Sequence, residues 1–185
     1  MKFWLARHAQ PLVAPGICYG ALNVPADTTA TRMAAQALAR VLPTGIELVS
    51  SPLQRCEQLA HVLQGIRPDL MCKFDSRLAE MNFGLWEGQC WNTIARAELD
   101  GWATNFKHWR CGGAECVDDV MRRVAAVWDE TQASGQACAW LTHAGVIRAA
   151  SLIAQGQRQL ERADQWPVAA PAFGQWLVLE EAVSC

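Results

Sequence analysis

Arginine and histidine side chains follow three apolar segments of the chain, each with the pattern of a buried strand. Arg7 and His8 follow the first segment, Arg55 lies just after the second, and His143 follows the third. Ligands of open α/β sheets bind at the carboxyl ends of the strands, so we expect these four side chains to meet at one edge. Arginine stays charged and binds phosphate oxygens in pairs, so two arginines there suit a phosphomonoester dianion.

Arg55 is the most informative of these residues taken alone. It falls in the first turn of a predicted helix, where the helix dipole makes a cation unfavourable by about 0.3–1 kcal/mol. The arrangement becomes favourable when an anion binds at the helix N-terminus. Taken singly, each of these residues also has a structural explanation, as a solvated arginine, a surface charge pair or a buried histidine bonded to backbone.

Phosphoryl transfer to a side chain needs a nucleophile, positive charge around the phosphoryl oxygens and an acid for the leaving oxygen. His8 qualifies as the nucleophile if a hydrogen bond holds its other ring nitrogen. The segment LAEMNFGLWEG offers two acids, Glu80 and Glu87. Glu80 is the favoured one, because it precedes an apolar, aromatic, glycine-containing turn where desolvation would raise its pKa toward working pH. Each acid is also explained as a solvated loop residue.

The elements that must position these residues alternate between strand and helix. Apolar spacing predicts strands at 2–6, 46–50, 71–75, 136–141 and 173–179, and amphipathic helices at 33–42 and 117–128;. Ser51 and Pro52 predict the start of a further helix, with serine as its cap. This alternation predicts an α/β fold, a three-layer α/β/α sandwich with a largely parallel central sheet. We expect one domain over residues 1–185, with residues 76–115 as a small helical cap insertion.

Composition limits the partners of the chain. Its 185 residues are 51% hydrophobic and 18% charged, which suits one soluble domain;. A net charge of −2 gives no general attraction to nucleic acid or anionic membranes;. The N-terminal segment lacks the pattern of a signal peptide, and no stretch approaches the roughly 20 apolar residues of a membrane span. The eight cysteines include no C-x-x-C pair, which favours reduced thiols in a cytoplasmic protein;.

Six motifs give the chain a resemblance to a known family. They are ARHAQP, GICYGALNVPAD, SSPLQRC, EMNFGLWEG, GGAEC and THAGVIRA, and they occur in family order over most of the chain. In these motifs the chain resembles the histidine phosphatase superfamily, also called phosphoglycerate mutase-like. It looks most like the α-ribazole-5′-phosphate phosphatase branch of cobalamin biosynthesis. The resemblance implies a phosphomonoesterase that forms a phosphohistidine and needs neither metal nor cofactor.

The resemblance also implies roles for individual residues. It implies that His8 accepts the phosphoryl group and that Arg7, Arg55 and His143 hold its oxygens. It further implies that Glu80 protonates the leaving alcohol and then helps water to hydrolyse the phosphohistidine. The candidate substrate-pocket residues are Gln10, Tyr19, Gly20, Asn23, Trp86 and Glu115.

Two of these pocket candidates have competing explanations. Trp86 would either stack on an aromatic base of the substrate or pack in the core. Glu115 would either line the pocket or simply favour the N-terminus of the helix that follows. Departures from the family pattern also bear on the substrate, because Ala9 and Gln10 stand where the family commonly has Gly and Glu. Asn23 stands where related enzymes often have Asp.

Three other functional hypotheses remain open beside the cobalamin assignment. They are a broad-specificity sugar-phosphate phosphatase, a phosphoglycerate mutase-like enzyme, and a module that binds a phosphorylated ligand without turnover. The mutase hypothesis is disfavoured because such enzymes usually carry a longer insertion near the acidic loop. The binding module would lack a catalytic group, whereas His8 and Glu80 are both present. A homodimer is the general default for oligomers and is expected only on that ground.

A thiolate mechanism is not expected, although the pattern C-x5-R occurs twice. Cys90 precedes Arg96 and Cys116 precedes Arg122 at this spacing. Neither intervening segment contains a glycine, and the second lies in a predicted helix whose amides bond internally. Its two aspartates would also repel a phosphate.

Overall fold

A five-stranded sheet forms the centre of the computed structural model, which describes residues 2–180. Its strands are β1 (Lys2–Arg7), β2 (Glu47–Ser50), β3 (Cys72–Phe74), β4 (Cys138–Thr142) and β5 (Trp176–Glu180). The strand order is β3-β2-β4-β1-β5. Neighbouring strands run parallel except for β1 and β5, which are antiparallel. The predicted α/β class and largely parallel sheet are therefore confirmed.

Helices cover both faces of this sheet. Within residues 2–180 they are α1 (Thr28–Val41), α2 (Gln54–Ile66), α3 (Arg96–Thr104), α4 (Val117–Ser134) and α5 (Ala144–Ala154). Helices α1 and α2 pack on each other, and α4 packs on α5. Each pair contributes to a different hydrophobic cluster. The result is the three-layer sandwich that the alternation of elements predicts.

The two faces of β1 show how the sequence builds these layers. Phe3 and Leu5 point to the α4 and α5 side, where they pack with Trp140. Trp4 and Ala6 point to the α1 and α2 side. Side chains alternate between the faces of a strand, so a strand covered on both faces is apolar throughout. This explains why the strand segments read as continuous apolar runs.

Helix α1 begins five residues earlier than the apolar spacing at 33–42 predicts. The Asp27 carboxylate caps the helix by accepting a hydrogen bond of 2.7 Å from the backbone N–H of Ala30. The predicted apolar face is wrong at two positions, because Met33 is 65% exposed and Val41 44% exposed. The buried face consists of smaller residues together with Leu38, and the helix packs against α2.

The predicted start of α2 at Ser51 and Pro52 is wrong. The helix begins at Gln54, and Leu53 occupies the cap position without a side-chain hydrogen bond to the helix. The backbone N–H of Ser51 instead continues the sheet ladder by donating to the carbonyl of Leu141 at 2.9 Å. Ser51 therefore stays extended at the edge of the sheet, where its hydroxyl is available to other side chains.

The last strand also begins later than predicted. The apolar pattern predicts a strand at 173–179, whereas β5 starts at Trp176. Phe173 and Gly174 precede it in a turn, and the backbone N–H of Gly174 donates to the carbonyl of His8 at 2.9 Å. The turn therefore brings Phe173 to the carboxyl end of β1.

Residues 76–115, the predicted cap insertion, consist of α3, short 3₁₀ turns and loops. Their aromatic side chains form one cluster, which contains Phe83, Trp86, Trp91, Trp102 and Phe106. The cluster is continuous with the core on the α4 side of the sheet. This region is thus anchored by aromatic packing rather than by long helices.

Seven cysteines lie in the described part of the chain, and all seven are free thiols. Cys185, the eighth, lies outside the described residues. No helix within residues 2–180 is both long enough and apolar enough to span a bilayer.

The cap of α1 gives a direct test of the fold. Asp27→Ala removes the acceptor for the Ala30 N–H, so we expect the free energy of unfolding to fall by about 1 kcal/mol in a urea titration. Asp27→Asn is the matched control, because asparagine keeps an acceptor oxygen and should retain most of the stability. Equal losses in the two variants would contradict the capping role.

Candidate active site

The carboxyl ends of three parallel strands meet at one edge of the sheet. Strand β4 lies between β1 and β2, and Arg7 is in register with Thr142. The backbone N–H of His8 donates to the carbonyl of Thr142 at 3.0 Å, which extends the ladder by one residue. His8, Ser51 and His143 therefore leave the sheet side by side, and the edge expected from the sequence is formed.

His8 is a buried imidazole, 2% exposed, with a defined tautomer. Its Nδ1 lies 2.7 Å from the carbonyl oxygen of Ala9, and a carbonyl only accepts, so Nδ1 carries the hydrogen;. The other ring nitrogen, Nε2, is therefore unprotonated in the neutral ring. Burial and the charges of Arg55 and Arg7 lower the pKa of His8 to about 3, although the hydrogen bond to Ala9 raises it. His8 is thus a neutral imidazole with a free lone pair on Nε2 at ordinary pH.

His143 is fully buried and bonded at both ring nitrogens. The Nε of Arg55 donates to its Nδ1 at 3.2 Å, so the hydrogen of the neutral ring is on Nε2. That Nε2 donates to the hydroxyl of Ser51 at 2.8 Å. Burial and the neighbouring charge of Arg55 hold the pKa of His143 well below its usual value. The ring centres of His143 and His8 are 5.1 Å apart.

The Arg55 guanidinium is buried with 0% exposure on the second residue of α2. Its Nη1 donates to the carbonyl of Leu22 at 2.9 Å, and its Nη2 donates to that of Gly20 at 2.5 Å. With the bond to His143, three of the five guanidinium N–H groups have partners;. No carboxylate in residues 2–180 forms an ion pair with it, although a buried unpaired charge costs several kcal/mol. The site therefore provides positive charge that a bound anion would neutralise.

Arg7 supplies a second cation beside His8. Its guanidinium carbon lies 3.9 Å over the ring of Phe173, and its Nη1 donates to the carbonyl of Pro171 at 3.0 Å. Its Nε is buried and has no partner within the described residues. Burial lowers the pKa of Arg7, while the nearby Tyr19 and Glu80 raise it. Arg7 thus keeps free donors next to the nucleophile.

Glu80 faces the two arginines without touching them. The charge of Glu80 raises the pKa of both Arg7 and Arg55 against the effect of burial, yet neither forms an ion pair with it in the described residues. Its carboxylate accepts from the backbone N–H of Gly145 at 3.0 Å, in the first turn of α5. A Cβ on Gly145 would clash with the same carboxylate, so only glycine permits this approach. An acid thus lies within electrostatic range of both cations.

Glu87, the other acid of its segment, is a support rather than a pocket residue. Its carboxylate accepts from the backbone N–H groups of Gly20 (3.0 Å), Ala21 (2.8 Å), Leu22 (2.6 Å) and Phe83 (2.9 Å). The carbonyls of Gly20 and Leu22 are the acceptors that hold the buried guanidinium of α2. The two acids thus hold different backbone amides, Glu80 that of Gly145 and Glu87 those of the loop at 20–22.

The other pocket candidates occupy different positions. Tyr19 lines a cavity beside Glu80, and its ring lies 5.5 Å from the guanidinium carbon of Arg55. Asn23 is exposed, and its Oδ1 accepts from the backbone N–H of Gln54 at 2.7 Å, which satisfies a free amide at the start of α2.

The remaining candidates are exposed, buried in the core or ion-paired. Gln10 is exposed, and its only side-chain contact among the described residues is a long one, 3.5 Å from the carbonyl of Pro11. Trp86 is 5% exposed within the aromatic cluster, so it packs in the core. Glu115 forms an ion pair with Arg123 at 2.7 Å.

Two cavities adjoin Glu80. The smaller, of about 200 Å³, is mostly apolar. Its lining includes Tyr19, Phe83, Trp102, Phe106, Arg148 and Trp166. The larger is an open cleft of about 770 Å³ that contains Glu115 and three arginines. Those arginines are ion-paired with carboxylates of the same region. No group of three or more metal-ligating side chains occurs in the part of the chain that the structure describes.

Four residues of the site were not singled out from the sequence as site residues. Ser51 stands in the motif SSPLQRC and Gly145 in THAGVIRA, so their place in these motifs is the signal that the sequence offers. Arg148 follows Gly145 by three residues, which places both on one face of α5. Phe173 has no motif, and only the turn before β5 brings it to Arg7.

Removing the support at Glu87 tests how the cations are held. In Glu87→Gln the side-chain NH₂ faces backbone N–H donors, so the loop at 20–22 should shift and misplace Arg55. We expect the Kd for inorganic phosphate, measured by calorimetry, to rise about 10- to 100-fold, which corresponds to one charged hydrogen bond of 1.5–3 kcal/mol. Glu98→Gln, on the exposed surface of α3, is the matched control. Unchanged phosphate affinity in a folded Glu87→Gln protein would contradict this role.

The low pKa of His8 predicts a pH dependence of stability. Unfolding restores its ordinary pKa of 6.5 from about 3, so below pH 6.5 the unfolded chain binds a proton that the folded chain does not;. The free energy of unfolding should therefore fall with decreasing pH, by about 1.4 kcal/mol per unit from this group. Urea titrations between pH 6.5 and 4.5 should show a weaker decrease for His8→Asn. The exposed-site control His108→Asn should behave like the parent protein, and equal slopes for all three would contradict the prediction.

Comparison with known proteins agrees with this geometry. A family model described as histidine phosphatase superfamily (branch 1) matches residues 3–180. The structure of a mycobacterial glucosyl-3-phosphoglycerate phosphatase in complex with VO3 superposes with a TM-score of 0.80 at 25% identity, over 97% of this chain and 92% of that chain.

Two further structures share the fold. The mycobacterial hydrolase 2 has a TM-score of 0.80 at 24% identity, over 96% of this chain and 80% of that chain. A protein from Thermus thermophilus, TTHB049, has a TM-score of 0.71 at 23% identity, over 97% of this chain and 94% of that chain. No curated protein matches the chain by sequence. The predicted superfamily is nevertheless confirmed by the family model: the chain belongs to the histidine phosphatase superfamily, branch 1, and is a phosphatase.

Proposed function

We propose that the chain is a metal-independent phosphomonoesterase that forms a phosphohistidine on His8, and that its substrate is α-ribazole 5′-phosphate in cobalamin biosynthesis. The observation that carries the proposal is the unprotonated Nε2 of a buried His8 beside two cations with free N–H donors. A dianionic phosphoryl group matches both the charge of this site and its unused donors.

In the first step the phosphoryl oxygens accept hydrogen bonds from Arg7 and Arg55. The Nε2 lone pair of His8 attacks phosphorus, and the bond from phosphorus to the alcohol oxygen breaks. Glu80, in its protonated form, donates its proton to the leaving oxygen, so an alcohol departs and a carboxylate remains. The hydrogen bond from Nδ1 to Ala9 stabilises the positive charge that develops on the ring;.

In the second step a water molecule attacks the phosphohistidine. The Glu80 carboxylate takes a proton from this water, and the bond between Nε2 and phosphorus breaks. Inorganic phosphate leaves, and His8 returns to the neutral tautomer that its bond to Ala9 favours. His143 positions Arg55 through its Nδ1, and a contact between His143 and a phosphoryl oxygen is part of the proposal.

The substrate assignment has two supports. The motifs of the chain resemble the α-ribazole-5′-phosphate phosphatase branch, and the small aromatic cavity beside Glu80 suits a flat heteroaromatic group;. A broad-specificity sugar-phosphate phosphatase is the second candidate, because a relative at 25% identity is a glucosyl-3-phosphoglycerate phosphatase. A cytoplasmic location, a homodimer and a single domain with residues 76–115 as its cap belong to the same proposal.

A phosphate-release assay in EDTA tests the reaction and the substrate together. The panel contains α-ribazole 5′-phosphate, several sugar phosphates and 3-phosphoglycerate. We expect release without metal, at least tenfold faster on α-ribazole 5′-phosphate, and lost by about 10³-fold or more in His8→Ala because the nucleophile is absent. His108→Ala, an exposed histidine outside the site, is the matched control and should keep full activity.

Each outcome of this assay separates the alternatives. Equal rates over the panel, still dependent on His8, would support the histidine mechanism and reject the substrate. Activity that survives His8→Ala would reject the mechanism. A folded protein that binds phosphate and releases none from any substrate would identify a binding module instead.

A further inference from the structure

The smaller cavity beside Glu80 combines aromatic walls with one cation. Its volume of about 200 Å³ is below the roughly 300–1,000 Å³ of pockets that enclose a whole drug-sized ligand;. It therefore has room for one ring system rather than for a large glycan. Phe83, Trp102, Phe106 and Trp166 supply flat apolar surface, and the indole Nε1 of Trp102 is buried without a partner in the described residues.

Arg148 is the cation of this cavity, and its donors are largely unused. Its Nη2 donates to the carbonyl of Val168 at 2.8 Å, while its Nε is buried and unpartnered within residues 2–180. No carboxylate in the described residues forms an ion pair with it. The arginines of the larger cleft differ in this respect, because each is paired with Asp119 or Glu115.

The position of Arg148 links the cavity to the reacting groups. It lies one helical turn after Gly145, whose N–H holds the Glu80 carboxylate, so both residues face the same side of α5;. Glu80 and Gly145 form one wall of the cavity. The charge of Arg148 also reaches Arg7, because it adds to burial in lowering the pKa of that guanidinium. Arg7 and Arg148, neither of them ion-paired with a carboxylate of residues 2–180, are thus close enough to influence each other beside the acid.

We infer that this cavity binds the leaving group, and that Arg148 selects leaving groups in which a flat apolar ring carries an anionic or other hydrogen-bond-accepting substituent. The inference rests on the proposed function, because it takes Glu80 as the group that protonates the leaving oxygen. An alcohol protonated there has its carbon end directed into one of the two cavities that Glu80 lines. The smaller cavity is the better match, because Arg148 keeps unused donors while the arginines of the larger cleft are ion-paired. The aromatic walls then hold the ring, and the free N–H groups of Arg148 meet the acceptor.

The chemistry of this cavity makes Arg148 a determinant of specificity rather than of the reaction itself. An arginine left without an acceptor in an apolar pocket disfavours occupants that cannot bond it, because its donors then stay unpaired. A plain alkyl leaving group gains neither ring contacts nor this bond. Substrates should therefore rank by the group that enters the cavity.

Three phosphates of primary alcohols test this ranking, because their leaving oxygens have comparable reactivity. They are ethyl phosphate, benzyl phosphate and 4-carboxybenzyl phosphate. We expect kcat/KM of the parent protein to rise at least tenfold from ethyl to benzyl and about tenfold more to 4-carboxybenzyl, as one hydrogen bond to a charged group supplies.

Variants show which residue causes each of the two increases in kcat/KM. Arg148→Ala should abolish the preference for 4-carboxybenzyl over benzyl and keep the preference for benzyl over ethyl. Trp166→Ala should instead reduce the preference for benzyl over ethyl phosphate. Arg158→Ala is the matched control, because Arg158 is paired with Asp129 away from the cavity, and it should change neither ratio. Arg148→Lys, which keeps the charge, should restore part of the carboxylate preference and show that the loss is not one of folding.

The outcomes distinguish this inference from the proposed function. Equal kcat/KM on all three phosphates, with activity still dependent on His8, would overturn the inference and leave the phosphatase mechanism standing. An Arg148→Ala protein that keeps the 4-carboxybenzyl preference would also overturn it. No release from any phosphate by the folded parent protein would reject the proposed function itself.

Discussion

The burial of the Arg55 guanidinium without an ion-pairing carboxylate among residues 2–180 is the constraint on which the site depends. Gly20 and Leu22 hold it through their carbonyls, and His143 holds it through Nδ1. All three acceptors are neutral, so they fix the direction of the cation without cancelling its charge. Glu87 in turn holds the loop that provides two of them. The loop at 20–22, held by Glu87, thus serves to present one positive charge to an anion.

The same burial gives the nucleophile its properties. A histidine beside two arginines and away from water keeps its ring neutral, which leaves the Nε2 lone pair of His8 free. The hydrogen bond from Nδ1 to Ala9 fixes which nitrogen carries that lone pair. The site therefore combines a net positive field with an uncharged base. The field binds the phosphoryl dianion, and the uncharged base supplies the lone pair that attacks it. A carboxylate in ion contact with Arg55 would neutralise that field, which explains why Glu80 approaches the cations and stops short of them.

The sequence allows the framework of the site to be predicted, because strand ends can be read from apolar runs. Arg7, His8 and His143 follow such runs directly, and parallel strands bring their ends together. The sequence favours Glu80 over Glu87 as the acid but does not show their contacts, because the backbone amides that distinguish the two acids lie more than 60 residues away in the chain. The late start of α2 escaped prediction for the same reason, since a distant histidine engages Ser51. The sequence cannot distinguish a core position from a pocket position for Trp86, because the distinction depends on which side chains surround it in the fold.

The central claim is that Nε2 of His8 attacks the phosphoryl group. Mixing the protein with a phosphomonoester, quenching in alkali during turnover and locating the phosphoryl group by tandem mass spectrometry and ³¹P NMR tests it most directly. Phosphohistidine survives alkali and is lost in acid, so an acid quench is the control. We predict phosphate on Nε2 of His8, because Nδ1 is bonded to Ala9. Phosphate on Nδ1 or on another residue would contradict it, as would active turnover with no trapped phosphoprotein.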